Sequence, residues 1–148
     1  MEVLRRDPLH ADALAMIEGS ERELAALYDP SVRHAFSPDE LVTGGVRFFV
    51  LYDGERPQGC GGYALYVGFA ELKRIFVPKG LRSAGRADAI VARLEEGARA
   101  EGAPLMRLET GLASPEAIAF YKRMGYAPRG PFADYVENGS SVFMEKAL

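Results

Sequence analysis

The fold of this chain can be worked out from residues 72–87, LKRIFVPKGLRSAGRA. The first half is largely apolar and stops at Pro78, which is typical of a strand that ends in a loop. The second half runs through Gly85 into residues 86–101, where apolar side chains recur at helical spacing. Such a junction directs free backbone N–H groups and the positive end of a helix dipole at one point. The stretch therefore predicts either an anion site that fits a diphosphate or an ordinary strand–helix turn.

Strand and helix patterns extend outward from this stretch in both directions. Before it, β-branched and aromatic runs separated by hairpin glycines predict a three-strand antiparallel meander. After it, a strand, a helix opened by a Ser-Pro pair and a last strand follow. The strands are predicted at 46–52, 58–67, 70–77, 105–110 and 141–146, and the helices at 86–101 and 114–124. Because helices fall between the later strands, we expect a mixed α/β sheet with a parallel crossover.

Residues 1–45 predict a strand followed by short helices. An Asp-Pro pair at 7–8 fits an N-cap and first helical residue, and Gly19 fits the end of that helix. Ser20 and Glu23 form a capping-box pair that predicts a separate second helix, and Ser37 repeats the signal for a third. The strand is predicted at 3–6, the helices at 8–19, at 20–28 and after 37, and a long loop at 29–37.

Length and composition narrow the class of protein. The 148 residues suit one domain, and 48% apolar residues can form a core without metals or disulfides. A formal net charge of −3, with cations spread along the chain, argues against a nucleic-acid binder and against a polybasic membrane tail. No apolar run is long enough to span a membrane, and residues 1–10 are too charged for a secretory signal. We expect a single cytoplasmic domain, 1–148, with no nucleic-acid or membrane partner.

The cysteine and the histidines give no sign of metal or redox chemistry. Cys60 is the one cysteine, so an internal disulfide is excluded, and its apolar surroundings favour a buried small side chain over a nucleophile. His10 and His34 lack metal-ligand spacing. The glycines within 59–62 predict a bulge or a close approach of two backbones.

Two motifs carry a resemblance to a known family. Arg82-x-x-Gly85-x-Ala87 after a strand resembles the acyl-CoA signature of the GCN5-related N-acetyltransferase (GNAT) superfamily, and residues 117–126, AIAFYKRMGY, resemble a later motif of it. The resemblance covers residues 46–146, and the closing segment is similar to a subgroup of small bacterial acetyltransferases. It implies an acyl-CoA N-acyltransferase fold, with a mostly antiparallel central sheet, splayed strands and flanking helices. It also implies acetyl-CoA as co-substrate and no metal.

The resemblance further implies which residues bind the cofactor. Strands 70–77 and 105–110 would part at their ends, the main chain of 75–77 would pair with the pantetheine arm, and the turn 82–87 would hold the pyrophosphate. Ser114 stands where many members have Asn. The implied cofactor-binding residues are Ile75, Phe76, Val77, Arg82, Ser83, Ala84, Gly85, Arg86, Ala87, Ser114 and Tyr121.

Two residues are implied as catalytic. Tyr121 matches the superfamily tyrosine that protonates the departing thiolate, a transfer that a phenol can make; its spacing alone would also fit a core aromatic. Glu71 stands on the strand where some members carry a catalytic glutamate base. Glu109 is the competing base, and water serves in many members. The structural alternative is that Glu71 pairs with Lys73 or Arg74, or is a solvated residue at the start of the strand.

The function that follows is transfer of the acetyl group of acetyl-CoA to the primary amine of a small-molecule or amino-acid-like acceptor by direct attack. Two alternatives stay open. One is a protein or peptide acetyltransferase that modifies a lysine or an N-terminal amine, and the other is a non-catalytic acyl-CoA-binding module.

Acceptor choice is expected to depend on the variable segments 20–42 and 128–140. An aromatic and acidic wall in the second segment would favour a cationic amine, whereas two basic residues in the first would select a carboxylate-bearing acceptor. The wall would comprise Phe132, Asp134 and Tyr135, and the basic pair Arg33 and His34. The alternative for the second segment is an ordered surface loop packed by Phe132. Exposed strand edges in such folds also leave pairing into a homodimer open.

Overall fold

The computed structural model describes residues 1–32 and 36–148, and its frame is a seven-stranded sheet. The strands are β1 (Glu2–Arg5), β2 (Arg47–Asp53), β3 (Arg56–Tyr66), β4 (Phe69–Phe76), β5 (Leu105–Gly111), β6 (Ala127–Arg129) and β7 (Ser141–Ala147). The helices are α1 (Ala11–Leu27), α2 (Pro38–Thr43), α3 (Arg86–Ala100) and α4 (Pro115–Arg123). Across the sheet the order is β1-β2-β3-β4-β5-β7-β6, with β4 and β5 parallel and every other pair antiparallel. The mixed α/β sheet and the crossover through α3 are thereby confirmed.

Helices lie on both faces of the sheet because successive strand residues are apolar on both sides. In β2, Phe49 and Leu51 belong to the core cluster that includes α3, whereas Phe48 and Val50 belong to the cluster that includes α1. Helix α4 packs on the same face as α3, through Tyr121 and its neighbours. Strands buried on both faces show runs of apolar residues instead of alternation, as β2 does.

The N-terminal helices differ from the prediction. Residues 11–27 form one continuous helix, so the predicted end at Gly19 and the capping box of Ser20 with Glu23 are wrong. The helix begins later than residue 8, with the His10 side chain accepting from the Asp12 amide as N-cap. Apolar and small residues keep the helical period across Gly19, whose missing Cβ leaves room for the Phe76 ring. Tertiary packing therefore overrides the local stop signal.

The predicted third helix is confirmed as α2. Ser37 accepts a hydrogen bond from the Glu40 amide, and the Glu40 carboxylate accepts one from the Ser37 amide. This reciprocal pair satisfies two amide groups that have no partner within the helix. Helix α2 ends at Gly44, directly before the sheet resumes with β2.

Strands β4 and β5 pair only at their beginnings. The paired residues are Ala70 with Met106 and Glu71 with Arg107, and beyond them the two strands diverge. The register between β3 and β4 shifts between Cys60 and Gly62, so that β4 carries one extra residue there. Arg74, in this bulge, has a φ of 56°. A bulge bends the strand that carries it and increases its twist, which is a physical reason for the divergence of β4 from β5.

The glycines of β3 allow close packing, as the sequence predicted. A Cβ on Gly59 would come within 2.8 Å of the Phe76 carbonyl oxygen, and one on Gly61 would collide with Ile75. Cys60 is fully buried, its thiol donates to the Arg74 carbonyl oxygen at 3.3 Å, and burial raises its pKa to about 12. The thiol therefore supports the bulge and is unsuited to act as a nucleophile.

Two features of the described residues complete the frame. The short edge strand β6, with Pro128 at its centre, was missed by the sequence reasoning because a three-residue edge strand has no alternating pattern. Within 1–32 and 36–148, no helix is both long and apolar enough to cross a lipid bilayer.

Candidate active site

The divergence of β4 from β5 opens a cleft of about 1000 Å³. Its walls come from the C-terminal half of α1, the diverging ends of β4 and β5, the turn before α3, and α4. Among the residues predicted for the site, those that line it are Glu71, Ile75, Phe76, Val77, Arg82, Ser83, Gly85, Arg86, Ala87, Glu109, Ser114 and Tyr121. Ala84 does not line it. The fold thus brings to one place residues that lie up to 50 positions apart in the sequence.

One edge of β4 faces this cleft without a strand partner. Beyond Glu71 the main chain of β4 pairs with β3 on one side only, because β5 has already diverged. Unpaired backbone groups on a strand edge can bind an extended ligand as if it were a further strand. Ile75 and Phe76 lie on this edge, and they line the cleft together with Val77, which follows the strand and whose carbonyl oxygen accepts from Arg82.

The turn before α3 is a cluster of backbone donors. Gly85, with a φ of 77°, is the N-cap of α3 and makes no side-chain cap. Across residues 1–32 and 36–148, no acceptor is bonded to the amide N–H groups of residues 83–88. Apart from its chain neighbours, no atom of residues 1–32 and 36–148 lies within 4 Å of the position that a Gly85 Cβ would take, and Gly85 lines the cleft. Exposed donors at a helix N-terminus fit a phosphate or diphosphate group.

The two arginines of the turn brace it from within. Arg82 donates to both oxygens of Glu23 on α1, at 2.6 and 2.8 Å, and to the Val77 carbonyl oxygen at 2.8 Å. Arg86 donates to the Leu81 carbonyl oxygen at 2.9 Å and to Gln58 Oε1 at 3.2 Å. Both arginines line the cleft, yet these bonds occupy part of each guanidinium. Their prominent contribution in this structure is to hold the loop that presents the amides.

Tyr121 lies on α4 where the core meets the cleft. Its side chain is 7% exposed and makes edge-on contacts with Phe120 and Tyr126, at ring distances of 5.1 and 5.7 Å. Burial raises the pKa of this phenol, which keeps it protonated. In the part of the chain that the structure describes, its hydroxyl has no hydrogen-bond partner. Tyr121 is therefore a core aromatic residue that also borders the cleft.

Glu71 is enclosed by two partners. Its carboxylate is 2% exposed, with Lys73 Nζ at 3.1 Å from one oxygen and the Tyr135 hydroxyl donating to the other at 2.6 Å. Burial raises the pKa of Glu71, and Lys73 opposes that shift. The predicted alternative, a pair with Lys73, is present in the structure. Arg74 instead pairs with Glu21 on α1 and donates to the Phe36 carbonyl oxygen at 2.8 Å.

Comparisons with known proteins agree with this geometry. A sequence model of the Acetyltransferase (GNAT) family matches residues 13–126. A protein of Azospirillum brasilense named IAA acetyltransferase is 34% identical over 148 residues, which is 99% of this chain and 97% of that protein. The chain belongs to the GNAT family of acetyltransferases. It is therefore an acetyl-CoA-dependent acetyltransferase.

Solved structures show that this GNAT chain has the acyl-CoA N-acyltransferase fold. A protein from Klebsiella pneumoniae that carries the provisional name acyl-CoA N-acyltransferase superposes with a TM-score of 0.84 at 32% identity. The match covers 99% of this chain and 97% of that one. The PaiA N-acetyltransferase from Thermoplasma acidophilum, solved with coenzyme A, superposes with a TM-score of 0.76 at 16% identity over the full length of both chains. The second likeness concerns the fold alone.

Sequence reasoning missed Tyr28 in this acetyltransferase. Its hydroxyl and that of Ser114 lie 2.9 Å apart, which joins the end of α1 to the start of α4 across the cleft. A Cβ on Gly111 would collide with the Tyr28 ring. The Ser114 hydroxyl thus has a partner in this structure, in addition to bordering the cleft. No local signal marks a contact between residues 86 positions apart.

Lys73 was also missed as a member of the site. Its side chain is 6% exposed, and Nζ lies 4.0 Å from the centre of the Phe36 ring and 3.3 Å from the Tyr135 hydroxyl, to which it donates. A buried ammonium needs a carboxylate partner, here Glu71, and the aromatic ring adds a cation–π contact. The strand period could have signalled this site, because residues 71 and 73 must share a face.

The structure places the three residues of the predicted aromatic and acidic wall in three different environments. Phe132 is buried among Phe69, Phe143 and Tyr135 and does not line the cleft. Asp134 is exposed, whereas Tyr135 reaches the cleft. Arg33 and His34 lie outside the described residues. Among 1–32 and 36–148, no group of three or more His, Cys, Asp or Glu side chains is arranged to hold a metal.

Proposed function

We propose that this chain, acting as a single domain over 1–148, acetylates the primary amine of a small-molecule or amino-acid-like acceptor. The observation that carries the proposal is a set of side-chain contacts at the end of the cleft lined by Tyr28, Phe36 and Tyr135, here called the acceptor end. Tyr28 crosses to Ser114, Phe36 covers Lys73, and Tyr135 reaches across to Glu71. A peptide needs an open groove, whereas a concave and partly aromatic pocket suits a small ligand.

The unpaired donors described above fit acetyl-CoA. The amides of 83–88 would hold the diphosphate, the free edge of 75–77 would hold the pantetheine arm, and Ser114 and Tyr121 would border it. When bound, acetyl-CoA supplies a thioester whose acetyl group passes to the amine as the carbon–sulfur bond breaks. The relatives' shared name, acetyltransferase, supports this donor.

The chain's own groups would position the two reactants and transfer the protons. A main-chain N–H near Phe76 or Val77 would donate to the carbonyl oxygen on which negative charge develops. Tyr121 Oη would give its proton to the sulfur, and Glu71 or Glu109 would take the proton of the amine. Most of the acceleration would come from holding two reactants in one geometry inside a cleft with fixed dipoles.

The test is release of free thiol from acetyl-CoA in the presence of matched acceptors. Small primary amines and amino acids should be turned over with a higher kcat/KM than a lysine-containing peptide or a peptide with a free N-terminus. Phenethylamine is a suitable first probe because Phe36, Tyr28 and Tyr135 line the acceptor end. A peptide that proves the better substrate would contradict the proposal and favour the protein-modifying alternative.

A further inference from the structure

Glu71 borders the cleft with very little of its carboxylate exposed. Its carboxylate is 2% exposed and both oxygens already accept hydrogen bonds, one from Lys73 and one from Tyr135. A general base must lie within hydrogen-bond reach of the proton it removes, directly or through one intervening group. The two partners that enclose the carboxylate are therefore the groups best placed to pass it a proton from the cleft.

Tyr135 is the partner that is built to pass a proton. Its hydroxyl donates to Glu71 at 2.6 Å, and the residue borders the cleft. Its ring is held by edge-on and tilted contacts with Phe132 and Phe143, at 5.1 and 5.5 Å. The same hydroxyl accepts from Lys73 at 3.3 Å, and a phenolic oxygen has a second lone pair that can accept from an amine while the hydroxyl donates to Glu71. Lys73 is less suited to pass a proton, because its ammonium group has only N–H donors and cannot accept a hydrogen bond from the amine.

We propose that Tyr135 is a catalytic residue that relays the proton of the acceptor amine to Glu71. This inference rests on the proposed function, since it requires an amine acceptor in the cleft. The acceptor end then consists of a hydroxyl facing the substrate and a carboxylate buried behind it. No comparison assigns such a role to the loop that carries Tyr135.

The transfer balances in one concerted step. An N–H bond of the acceptor ammonium breaks and its proton joins Tyr135 Oη, while the original phenolic proton moves to Glu71 Oε2. The amine is left neutral with its electron pair available, Tyr135 is neutral again, and Glu71 becomes the carboxylic acid. Lys73 donates to Glu71 and to the Tyr135 hydroxyl, which holds both groups in line.

The surroundings of Glu71 suit a group that takes up a proton. Burial raises its pKa, and the nearby carboxylate of Glu109 adds to that increase while Lys73 opposes it. The titratable groups on the packed elements are Lys73 on β4, Glu109 on β5, Tyr66 on β3, and Asp134 and Tyr135 in the loop after β6. Glu109 accepts from Ser141 at 2.7 Å and borders the cleft, which makes it the rival base.

The test uses two acceptors of nearly the same shape. Phenethylamine is an ammonium ion at neutral pH, whereas O-benzylhydroxylamine is far less basic and is already neutral. For Tyr135→Phe, kcat/KM with phenethylamine should fall about 100-fold or more, the usual contribution of a general base. With O-benzylhydroxylamine it should change by less than about threefold, since no proton has to be removed before attack. Loss of packing or of acceptor binding would affect both amines alike.

Three further variants separate the relay from its alternatives. Glu71→Gln should show the same dependence on the amine, and the double variant should be no worse than either single one, because both residues serve one path. Tyr63→Phe is the matched control. The Tyr63 hydroxyl donates to Glu101, a glutamate that is likewise paired with a basic residue, but Tyr63 does not line the cleft. The control should leave both rates unchanged.

The outcomes are distinguishable. Equal loss for both amines in Tyr135→Phe, or a selective loss in Glu109→Gln in place of Tyr135→Phe, overturns the relay while leaving the proposed function standing. A wild-type protein that binds acetyl-CoA and acetylates peptides but neither amine overturns the proposed acceptor class, and the relay with it. Selective loss in both Tyr135→Phe and Glu71→Gln supports the relay.

Discussion

Tyr121 shows at the residue scale how one side chain can belong to the core and to the cleft. Its ring packs on Phe120 and Tyr126, while its hydroxyl makes no bond with another described residue. A buried polar group without a partner in 1–32 and 36–148 costs free energy, which is unusual in a residue kept only for packing. The structure therefore favours a role for the hydroxyl in binding or catalysis.

Substitution Tyr121→Phe tests that role. The ring contacts remain and only the proton donor is lost, so kcat should fall about 100-fold while the affinity for acetyl-CoA stays unchanged. Thiol release and calorimetric titration measure the two quantities. Tyr126→Phe, which removes a neighbouring hydroxyl bonded to Glu95 at 2.7 Å outside the cleft, is the control. Full turnover by Tyr121→Phe would show that the phenol is not the acid.

Gly85 allows a charge to be placed in the predicted diphosphate site. Its φ of 77° strains any other residue, so the informative comparison is Gly85→Glu against Gly85→Gln, which share that strain. The carboxylate should weaken acetyl-CoA binding about tenfold or more beyond the amide, because like charges a few ångströms apart cost about 1–4 kcal/mol. Equal affinities in the two variants would place the diphosphate elsewhere.

Strand β3 and helix α3 show at the element scale how glycine positions set a packing distance. Ile90 and Leu94 of α3 come close to the sheet above Gly59 and Gly61, where any Cβ would intrude. The same glycines face the end of β4, whose bulge and free edge border the cleft. Packing at this point therefore also determines where the edge of 75–77 lies.

Gly59→Ala should destabilise the fold, because its Cβ would meet the Phe76 carbonyl oxygen at 2.8 Å and Ile90 at 2.9 Å. Overpacking of this kind costs about 1–3 kcal/mol, measurable as a lower free energy of unfolding in urea. Gly80→Ala is the control, since its φ is not positive and, apart from its chain neighbours, no described atom lies within 4 Å of that Cβ. Equal stabilities of the two variants would contradict the close approach described here.

The prediction of helix boundaries succeeded where a local pattern determines the boundary and failed where tertiary packing determines it. The Ser37 capping box produces α2 because its partners are three residues apart. The similar signal at Ser20 fails, because Ser20 is buried within α1 and lies 3.5 Å from an Arg74 nitrogen, and because Glu23 is bound by Arg82. A capping residue acts only if its helix begins there, and the apolar period of α1 carries the helix through.

The ion pairs of the whole molecule make its stability depend on pH. Hydrogen bonds from Arg107 and then Arg129 lower the pKa of Glu145, which joins β5, β6 and β7, and the bond from Tyr63 lowers that of Glu101. A carboxyl with a lowered pKa in the folded state stabilises it above the ordinary value of 4.5, and that contribution is lost as pH falls. Burial of Glu71 raises its pKa and acts in the opposite direction.

We therefore expect the urea midpoint to fall as pH is lowered from 7 to below the ordinary glutamate pKa of 4.5. Glu145→Gln should reduce the size of that fall, since the variant has no carboxylate to protonate at the junction of the three strands. Glu18→Gln removes an exposed pair with Arg22 and should behave as wild type. If Glu145→Gln loses as much stability on acidification as wild type, the contribution of this carboxylate is refuted.

For the molecule as a whole, the spacing of apolar residues was enough to predict the meander, the crossover helix and the open turn at Gly85, because each depends on residues close together in the chain. Three-dimensional packing alone settled that Arg82 binds Glu23, 59 positions away, and that Tyr135 encloses Glu71, 64 positions away. A side chain's partners depend on which strands and loops meet, and the sequence carries no local pattern for a contact of that range.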